Sequence, residues 1–411
     1  MANADIPNTR ADCEALDRLD PLAGQRAAFL PPDGVIYLDG HSLGPATHAA
    51  LKRIEHTAQK EWANGLIRSW NDAGWIDLPR TVGAKLARLI GAQPGEVIVT
   101  DSVSVNLFKL AAAALPHATR LAIIVEDSEF PTDQYIAEGL ASSGVADFIR
   151  AGEDQGANTL AQLGGGVLIK SVVNYRTARV SDIKALEEQA TANGGLIVWD
   201  LSHATGVIDL DLNASGAKLA TGCTYKFLNG GPGAPAFIYA HASLASQLQS
   251  PITGWFGHAD PFAFTSAYTP REGVSRFATG TPGVLSLSAL DAALDAFAGV
   301  DTAMLARKAR QLGDLVTARV TQLGLETISP SDGAMRGGHV SVRHPDGYAI
   351  VQALIARGII SDFRAPDAMR FGVSPLYLRF TDVWDAMDQL QDVLATRAFD
   401  HPDFHRRSTV T

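Results

Sequence analysis

An α/β fold built on a mostly parallel sheet, followed by a smaller α+β domain, is what this sequence predicts. Three observations carry that expectation. Short apolar runs rich in β-branched residues alternate with helical segments of about 10–15 residues up to about residue 290. After about residue 285 the texture changes to long amphipathic helices with a few short strands between them. No stretch reaches the roughly 20 apolar residues needed to span a bilayer, so the apolar runs read as buried strands.

The elements follow in order. Residues 10–30 read as a short helix ahead of Pro31-Pro32, and VIYLDGHSLGP (35–45) as a strand running into a glycine loop. Residues 46–66 have helical spacing. EVIVT (96–100) is a strand, followed by the helix VNLFKLAAAALP (105–116). LAIIVED (121–127) is a strand and TDQYIAEGLASSG (132–144) a helix. VLIKSVVN (167–174) and GGLIVWD (194–200) are strands flanking a helix over 180–194. That helix starts near Ser181, three residues before Lys184, an incomplete capping box. KLATGCTYKF (218–227) and APAFIYA (234–240) are further strands. Beyond them come long helices, then strands over 337–344, 359–364 and 368–377, the helix YAIVQALIARG and a terminal helix over 385–397. The expected division is an N-terminal segment, 1–50, packing with the small domain, a large domain, 51–290, and a small C-terminal domain, 291–411.

Composition narrows the function classes. At 411 residues, with 46% hydrophobic and 19% charged content, the chain can bury the cores of two domains. The net charge of −10 argues against nucleic acid or an anionic membrane face as partner. It leaves small anionic substrates open, because local arginines can override the global sign. Two cysteines, Cys13 and Cys223, make neither a disulfide framework nor a cysteine metal site, and no metal is expected. The N-terminus is polar without a signal-like apolar run, so the default setting is reducing and cytoplasmic.

The chemistry concentrates in TGCTYKFLNGGPGAPAFIY (221–239). Lys226 sits between small residues and a run of glycine and proline, with Tyr225 before it. Asp200 closes the apolar strand GGLIVWD, which puts a charge at the carboxyl edge of a parallel sheet, where ligands bind. A lysine amine that can bind an aldehyde, with a fixed anion to keep a ring nitrogen protonated, is the arrangement a pyridoxal phosphate cofactor needs. Asp200 could instead cap the following turn, and His203 could be a structural histidine rather than support for the ring or phosphate. DSVSVN (101–106) opens a helix after a strand, so its N–H groups and Ser104 can cradle a phosphate, although serine also caps helices that bind nothing. In FPTD (130–133), Phe130 can lie on a flat ring and Asp133 can bond a ring substituent; the alternative is a proline turn and helix cap. Trp255 and Thr281 lie in glycine-rich loops fit for a dimer interface. Arg370 offers a planar fork for a substrate carboxylate, or is a surface arginine.

Taken together, YLDGHSLGP, DSVSVNLFKL, EFPTDQY, WDLSHATGVIDLDL, GCTYKFLNGGPGAPAFIY, GWFGH, RFATGTPGVLSLSALDAAL and RFGVSPLY resemble kynureninase, a fold-type I pyridoxal phosphate enzyme of tryptophan catabolism. The likeness spans nearly the whole chain. It implies a homodimer with shared active sites and the cofactor held as an internal aldimine on Lys226. It implies that Val103, Ser104 and Tyr225 hold the phosphate end, with Trp255 and Thr281 reaching across the interface. Phe130, Pro131, Thr132 and Asp133 would lie against the ring, Asp200 would pair with its nitrogen, and His203 and Ser171 would stand beside them. Arg370 would grip the substrate carboxylate. His41 and Ser42 would meet the substrate, and Trp70 would approach its aryl ring. The implied reaction is hydrolysis of L-kynurenine, or its 3-hydroxy analogue, to anthranilate, or its 3-hydroxy analogue, and L-alanine. Lys226, Tyr225 and Asp200 would do the chemistry.

The nearest rival is another fold-type I enzyme, a cysteine desulfurase-like lyase or an aminotransferase. A desulfurase needs a nucleophilic cysteine in the small-domain region, and both cysteines lie elsewhere. A rival from another class is a non-catalytic α/β binding protein that uses the same anion site without the lysine. A dinucleotide-binding reading fails, because no G-x-G-x-x-G follows the first strand.

Overall fold

The structure, a computed structural model, describes residues 6–407. A first short strand, β1 (Ile36–Tyr37), belongs to the N-terminal segment. The central sheet is made of β2 (Val97–Val99), β3 (Ala122–Glu126), β4 (Asp147–Ala151), β5 (Gly166–Ser171), β6 (Gly195–Asp200), β7 (Leu219–Gly222) and β8 (Phe237–Ala240). Its order is β2-β8-β7-β6-β5-β3-β4, and every neighbouring pair is parallel except the two that involve β8. The expected mostly parallel sheet is therefore present.

These strands read as unbroken apolar runs because both faces of the sheet are covered. Side chains alternate across a strand. Ile124, Leu168 and Ile197 accordingly enter one buried cluster, while Ile123, Val125, Val167, Ile169 and Val198 enter the other. Each such side chain taken from water is worth about 1.5–3 kcal/mol.

The C-terminal part folds around a four-stranded antiparallel sheet. Its strands are β9 (Glu326–Thr327), β10 (His339–Arg343), β12 (Asp362–Arg364) and β13 (Ala368–Gly372), in the order β12-β13-β10-β9. The helices Thr302–Gln322 and Gly347–Ile355 pack against it, and Phe380–Thr396 packs on those two helices. β11 (Ile359–Ile360) pairs in parallel with β1, which joins the N-terminal segment to this part. The helix Arg10–Leu19 adds to that join: Arg10 Nε donates to Asp385 at 2.7 Å, and Asp17 accepts from the backbone of Phe380 and Thr381.

Several elements differ from the sequence expectation. The strand expected over 218–227 stops at Gly222, where a Cβ would lie 2.9 Å from the ring of Phe237. Beyond it the chain leaves the sheet: Cys223 N donates to Ser202 Oγ at 3.1 Å and Thr224 Oγ1 to Pro235 O at 2.6 Å. Tyr225 and Lys226 therefore sit on a loop. The expected strand over 35–45 is only β1, and its glycine loop turns back under the Lys226 loop. Asp182 rather than Ser181 caps the helix Ile183–Ala192, through a 3.0 Å bond from Ala185 N. The sequence reading passed over the helices Leu78–Leu89 and Gly156–Leu163 and the edge strand β4. The β4 segment, DFIRA, carries the charges of Asp147 and Arg150 in a short half-exposed strand and so shows no apolar run.

Candidate active site

A cavity opens at the carboxyl ends of β5, β6 and β7, where open parallel sheets bind ligands. The register brings the strand ends together, with Ser171 beside Asp200 and Asp200 beside Thr221. Val103, Ser104, Phe130, Thr132, Asp133, Ser171, Asp200, His203, Tyr225 and Lys226 all line it. Pro131 opens the helix Pro131–Ser142 between two of them. Ser102, Tyr175, Ser202 and Cys223 also line the cavity, and the sequence reading had assigned none of these four to the site. Tyr175 could not be found from sequence, because it lies in a loop with no local signal; its ring makes a T-shaped contact with Phe130, 5.2 Å between centroids.

Local structure explains each position. Asp101 adopts a left-handed φ of 49°, which turns the chain sharply from β2 into the helix Val103–Ala114. Ser102 caps that helix by accepting from Val105 N, so capping does not occupy the Ser104 hydroxyl. Lys109, fully buried, ties Asp101 to the carbonyl of Phe277 and the hydroxyl of Thr279. The loop 39–44 lies directly on the Lys226 loop. Gly44 N donates to Tyr225 O at 2.7 Å, and a Cβ on Gly44 would lie 2.3 Å from Lys226 O.

The electrostatics are unusual for a buried site. Asp133 is buried and neither of its carboxylate oxygens has a hydrogen-bond partner among the described residues. Burial, then the nearby Asp200 and Glu129, push its carboxyl well above the ordinary range. Asp200 accepts Ser202 N at 2.7 Å, and burial pushes it up as well. Lys226 Nζ stands 2.8 Å from His203 Nε2, while His203 Nδ1 has no hydrogen-bond partner among the described residues. Burial, reinforced by the Lys226 charge, holds that imidazole well below its usual value and so neutral. Glu129, also unread in the sequence, accepts Ser171 N at 3.1 Å, and burial pushes it up to about 7.

These groups fit pyridoxal phosphate. A helix N-terminus with a free serine hydroxyl suits its phosphate. Two buried carboxyls and an unpartnered imidazole nitrogen suit the polar atoms of its ring, and a lysine amine stands among them.

The remaining candidates fall into two groups. Arg370, His41 and Ser42 lie behind His203 rather than on the cavity wall. Arg370 is 1% exposed and already bonded to Asp362, Ser42 and Tyr175 O, so it is no surface residue. His41 stacks on His339 at 5.1 Å, and His339 lies 5.6 Å from the His203 ring. Trp70, Trp255 and Thr281 are not brought to Lys226 within one chain. They line a separate apolar groove with Ile67, Ile76 and Phe262. Cys13 and Cys223 are both buried and neither is in a disulfide; the Cys223 thiol donates to Ser202 O at 3.7 Å.

Comparison with known proteins adds to this geometry. Residues 305–390 match the family model for the kynureninase C-terminal domain. The chain is 45% identical to the kynureninase of Burkholderia pseudomallei (strain K96243) over 414 aligned positions, covering 98% of this chain and 100% of that one. It is also 45% identical to the kynureninase of Pseudomonas fluorescens, again covering 98% and 100%. Among solved structures it resembles a cysteine desulfurase of Thermococcus onnurineus NA1, with a TM-score of 0.74 at 18% identity over 96% of this chain and 100% of that one. It resembles equally a mutant of C-DES with glycine covalently linked to its PLP cofactor, with a TM-score of 0.75 at 18% identity over 94% and 100%. At that identity the structural likeness shows the fold alone.

Proposed function

The chain belongs to the kynureninase family, and from that premise we propose that it hydrolyses L-kynurenine to anthranilate and L-alanine with pyridoxal phosphate as cofactor. The single observation that carries the reading is the pair of buried, under-partnered carboxyls, Asp133 and Asp200, facing a cavity that also holds the Lys226 amine.

When bound, pyridoxal phosphate supplies an electron sink for the pair left behind when a bond at the substrate's α-carbon breaks. The chain's own residues do the rest. The N–H groups at the start of the helix Val103–Ala114, with Ser104, bind the anionic end. Phe130 and Thr132 hold the ring against the cavity wall. Asp200 places a negative charge at the sheet edge, with His203 and Ser171 beside it. Asp133 offers two acceptors. The Lys226 amine binds the cofactor and moves the proton of the substrate's α-carbon, and His203 Nε2 keeps it oriented. Hydrolysis then breaks the Cβ–Cγ bond. The oxygen of water ends on Cγ as the anthranilate carboxylate, and Cβ takes a proton to give alanine. Tyr225 is the donor proposed for that proton, since burial pushes its phenol up and keeps it protonated. Arg370 is proposed to bind the substrate carboxylate, with Ser42 and His41 beside it, and Trp70 to approach the aryl ring.

Trp255, Phe262, Ile67 and Trp62 are exposed apolar side chains around the groove that holds Thr281. An apolar patch of this kind marks an interaction surface. It supports a homodimer in which Trp255 and Thr281 serve the partner's site. The β1–β11 pairing supports a division into 1–50 with 291–411, and 51–290. No helix among the described residues is long and apolar enough to cross a membrane; a cytoplasmic setting within tryptophan catabolism is proposed with the activity. A desulfurase-like lyase or an aminotransferase is the less supported alternative. Steady-state turnover of L-kynurenine and its 3-hydroxy analogue, read by product fluorescence, tests the function. Turnover of neither, with transfer of the amino group to pyruvate instead, would replace it.

A further inference from the structure

Behind the cavity lies a buried charged cluster whose centre, Asp362, has no role in the reaction above. Asp362 is 1% exposed on β12 and faces Arg370 directly across β13. Arg370 Nε donates to its Oδ1 at 2.8 Å, and Nη2 donates to its Oδ2. Ser42 Oγ donates to Oδ2 at 2.8 Å, Arg364 Nη2 lies 3.0 Å away, and His41 Nε2 stands 3.3 Å from Oδ1. Burial works against ionisation here, yet His41 and Arg370 outweigh it and hold the carboxyl far below the usual range.

A guanidinium has five N–H donors in a rigid fork. Asp362 takes the Nε and one Nη2 hydrogen, Ser42 Oγ the other Nη2 hydrogen at 3.2 Å, and Tyr175 O one Nη1 hydrogen at 2.6 Å. Among the described residues that leaves one N–H, on Nη1. Tyr175, which receives the Nη1 bond, lines the Lys226 cavity. The side of the fork with a donor to spare is therefore the side nearest the cavity.

We propose that Asp362 is a positioning residue for the substrate carboxylate: it locks the Nε–Nη2 edge of Arg370 and so presents the Nη1 side to the substrate. This rests on Arg370 being the carboxylate clamp. The buried anion also offsets the cost of keeping a guanidinium away from water, so the clamp stands ready before substrate arrives.

The test sets Asp362→Glu, which keeps the charge and moves it by one methylene, and Asp362→Asn beside Arg370→Lys in the holoenzyme. Each Asp362 variant should raise KM for L-kynurenine and the inhibition constant for L-alanine about tenfold or more while kcat and the cofactor absorbance stay close to wild type. KM and inhibition constants within about twofold of wild type in the Asp362 variants, alongside a clear rise in Arg370→Lys, would overturn the proposal. An unaltered L-alanine constant in Arg370→Lys would instead remove the clamp itself. A crystal structure of the unmutated holoenzyme with L-alanine decides the matter independently of whether the variants fold. Both Asp362–Arg370 bonds should persist with the alanine carboxylate on Nη1. Asp362 released from Arg370 would sink the idea.

Discussion

The two sides of this site treat buried charge in opposite ways. On the sheet side, Asp133 has no hydrogen-bond partner among the described residues and Asp200 accepts the Ser202 backbone N–H, and burial pushes both carboxyls up. On the side of the C-terminal antiparallel sheet, Asp362 is surrounded by Arg370, Arg364, Ser42 and His41 and is held far down. An unpaired buried carboxyl costs free energy in the bare chain and recovers it when a complementary ligand arrives. A fully paired one gains nothing further from a ligand and serves as a frame. The difference separates the half that a cofactor completes from the half that is finished in advance.

Four experiments would break or sharpen that contrast. The largest effect belongs to Lys226→Ala. Turnover should fall at least about 10³–10⁴-fold, with any pyridoxal phosphate bound non-covalently. Borohydride reduction and peptide mapping should then leave the 221–239 peptide unlabelled, whereas in wild type it carries the label; full activity in the variant would end the assignment. Asp200→Ala should come next, slowing exchange of the substrate α-proton with solvent deuterium by about 10²-fold or more. Unchanged exchange would mean that another group guards the ring charge.

The third concerns pH. Burial holds His203 and His339 well below their ordinary value. The folded chain keeps them neutral, while the unfolded chain takes up their protons below about pH 6.5. Their contribution to stability is therefore complete above that pH and is lost as pH falls through it, by up to about 1.4 kcal/mol per pH unit for each histidine. The raised carboxyls of Asp133 and Asp200 act in the opposite sense, so the informative quantity is a difference. The thermal midpoint of His339→Leu should fall less steeply than wild type between pH 7 and pH 5. Parallel curves would show that the ring at 339 titrates alike in both states. The smallest effect is Asp133→Asn. Removing the ionisable group should stabilise the cofactor-free chain by about 1 kcal/mol, read by denaturant unfolding, and weaken pyridoxal phosphate binding in an absorbance titration. A destabilised cofactor-free variant would mean that Asp133 has a partner in solution.

Much of the sheet-side half was legible in the sequence. Asp200, Ser104, Asp133 and Lys226 each sit where a strand ends, a helix begins or a glycine loop turns, and such places carry their own local marks; Ser171, expected inside a longer strand, came only through the family resemblance. The partners that set their electrostatics were not legible. Glu129, Ser202 and Tyr175 have no flanking pattern, and His339 and Asp362 belong to short strands of another sheet. The elements that were passed over failed for a similar reason. The edge strand β4 has too few buried positions to show a period, and the end of β7 depends on how closely Phe237 approaches Gly222. Trp255 and Thr281 were read as interface residues and Trp70 separately as an aryl-ring contact; within one chain all three line a single groove away from Lys226.

By itself the sequence determined the alternation of strand and helix, the parallel sheet that this alternation demands, and the residues placed at its carboxyl edge. Those follow from period and from chain connectivity, which are local. Only the tertiary structure decided which charges meet. Asp362 faces Arg370 through strand register, His41 stacks on His339 because the 39–44 loop folds under Lys226, and Asp133 is buried near Asp200 and Glu129 with no hydrogen-bond partner among the described residues. Pairing of buried charge depends on distance between segments far apart in the chain, and no periodicity encodes that distance.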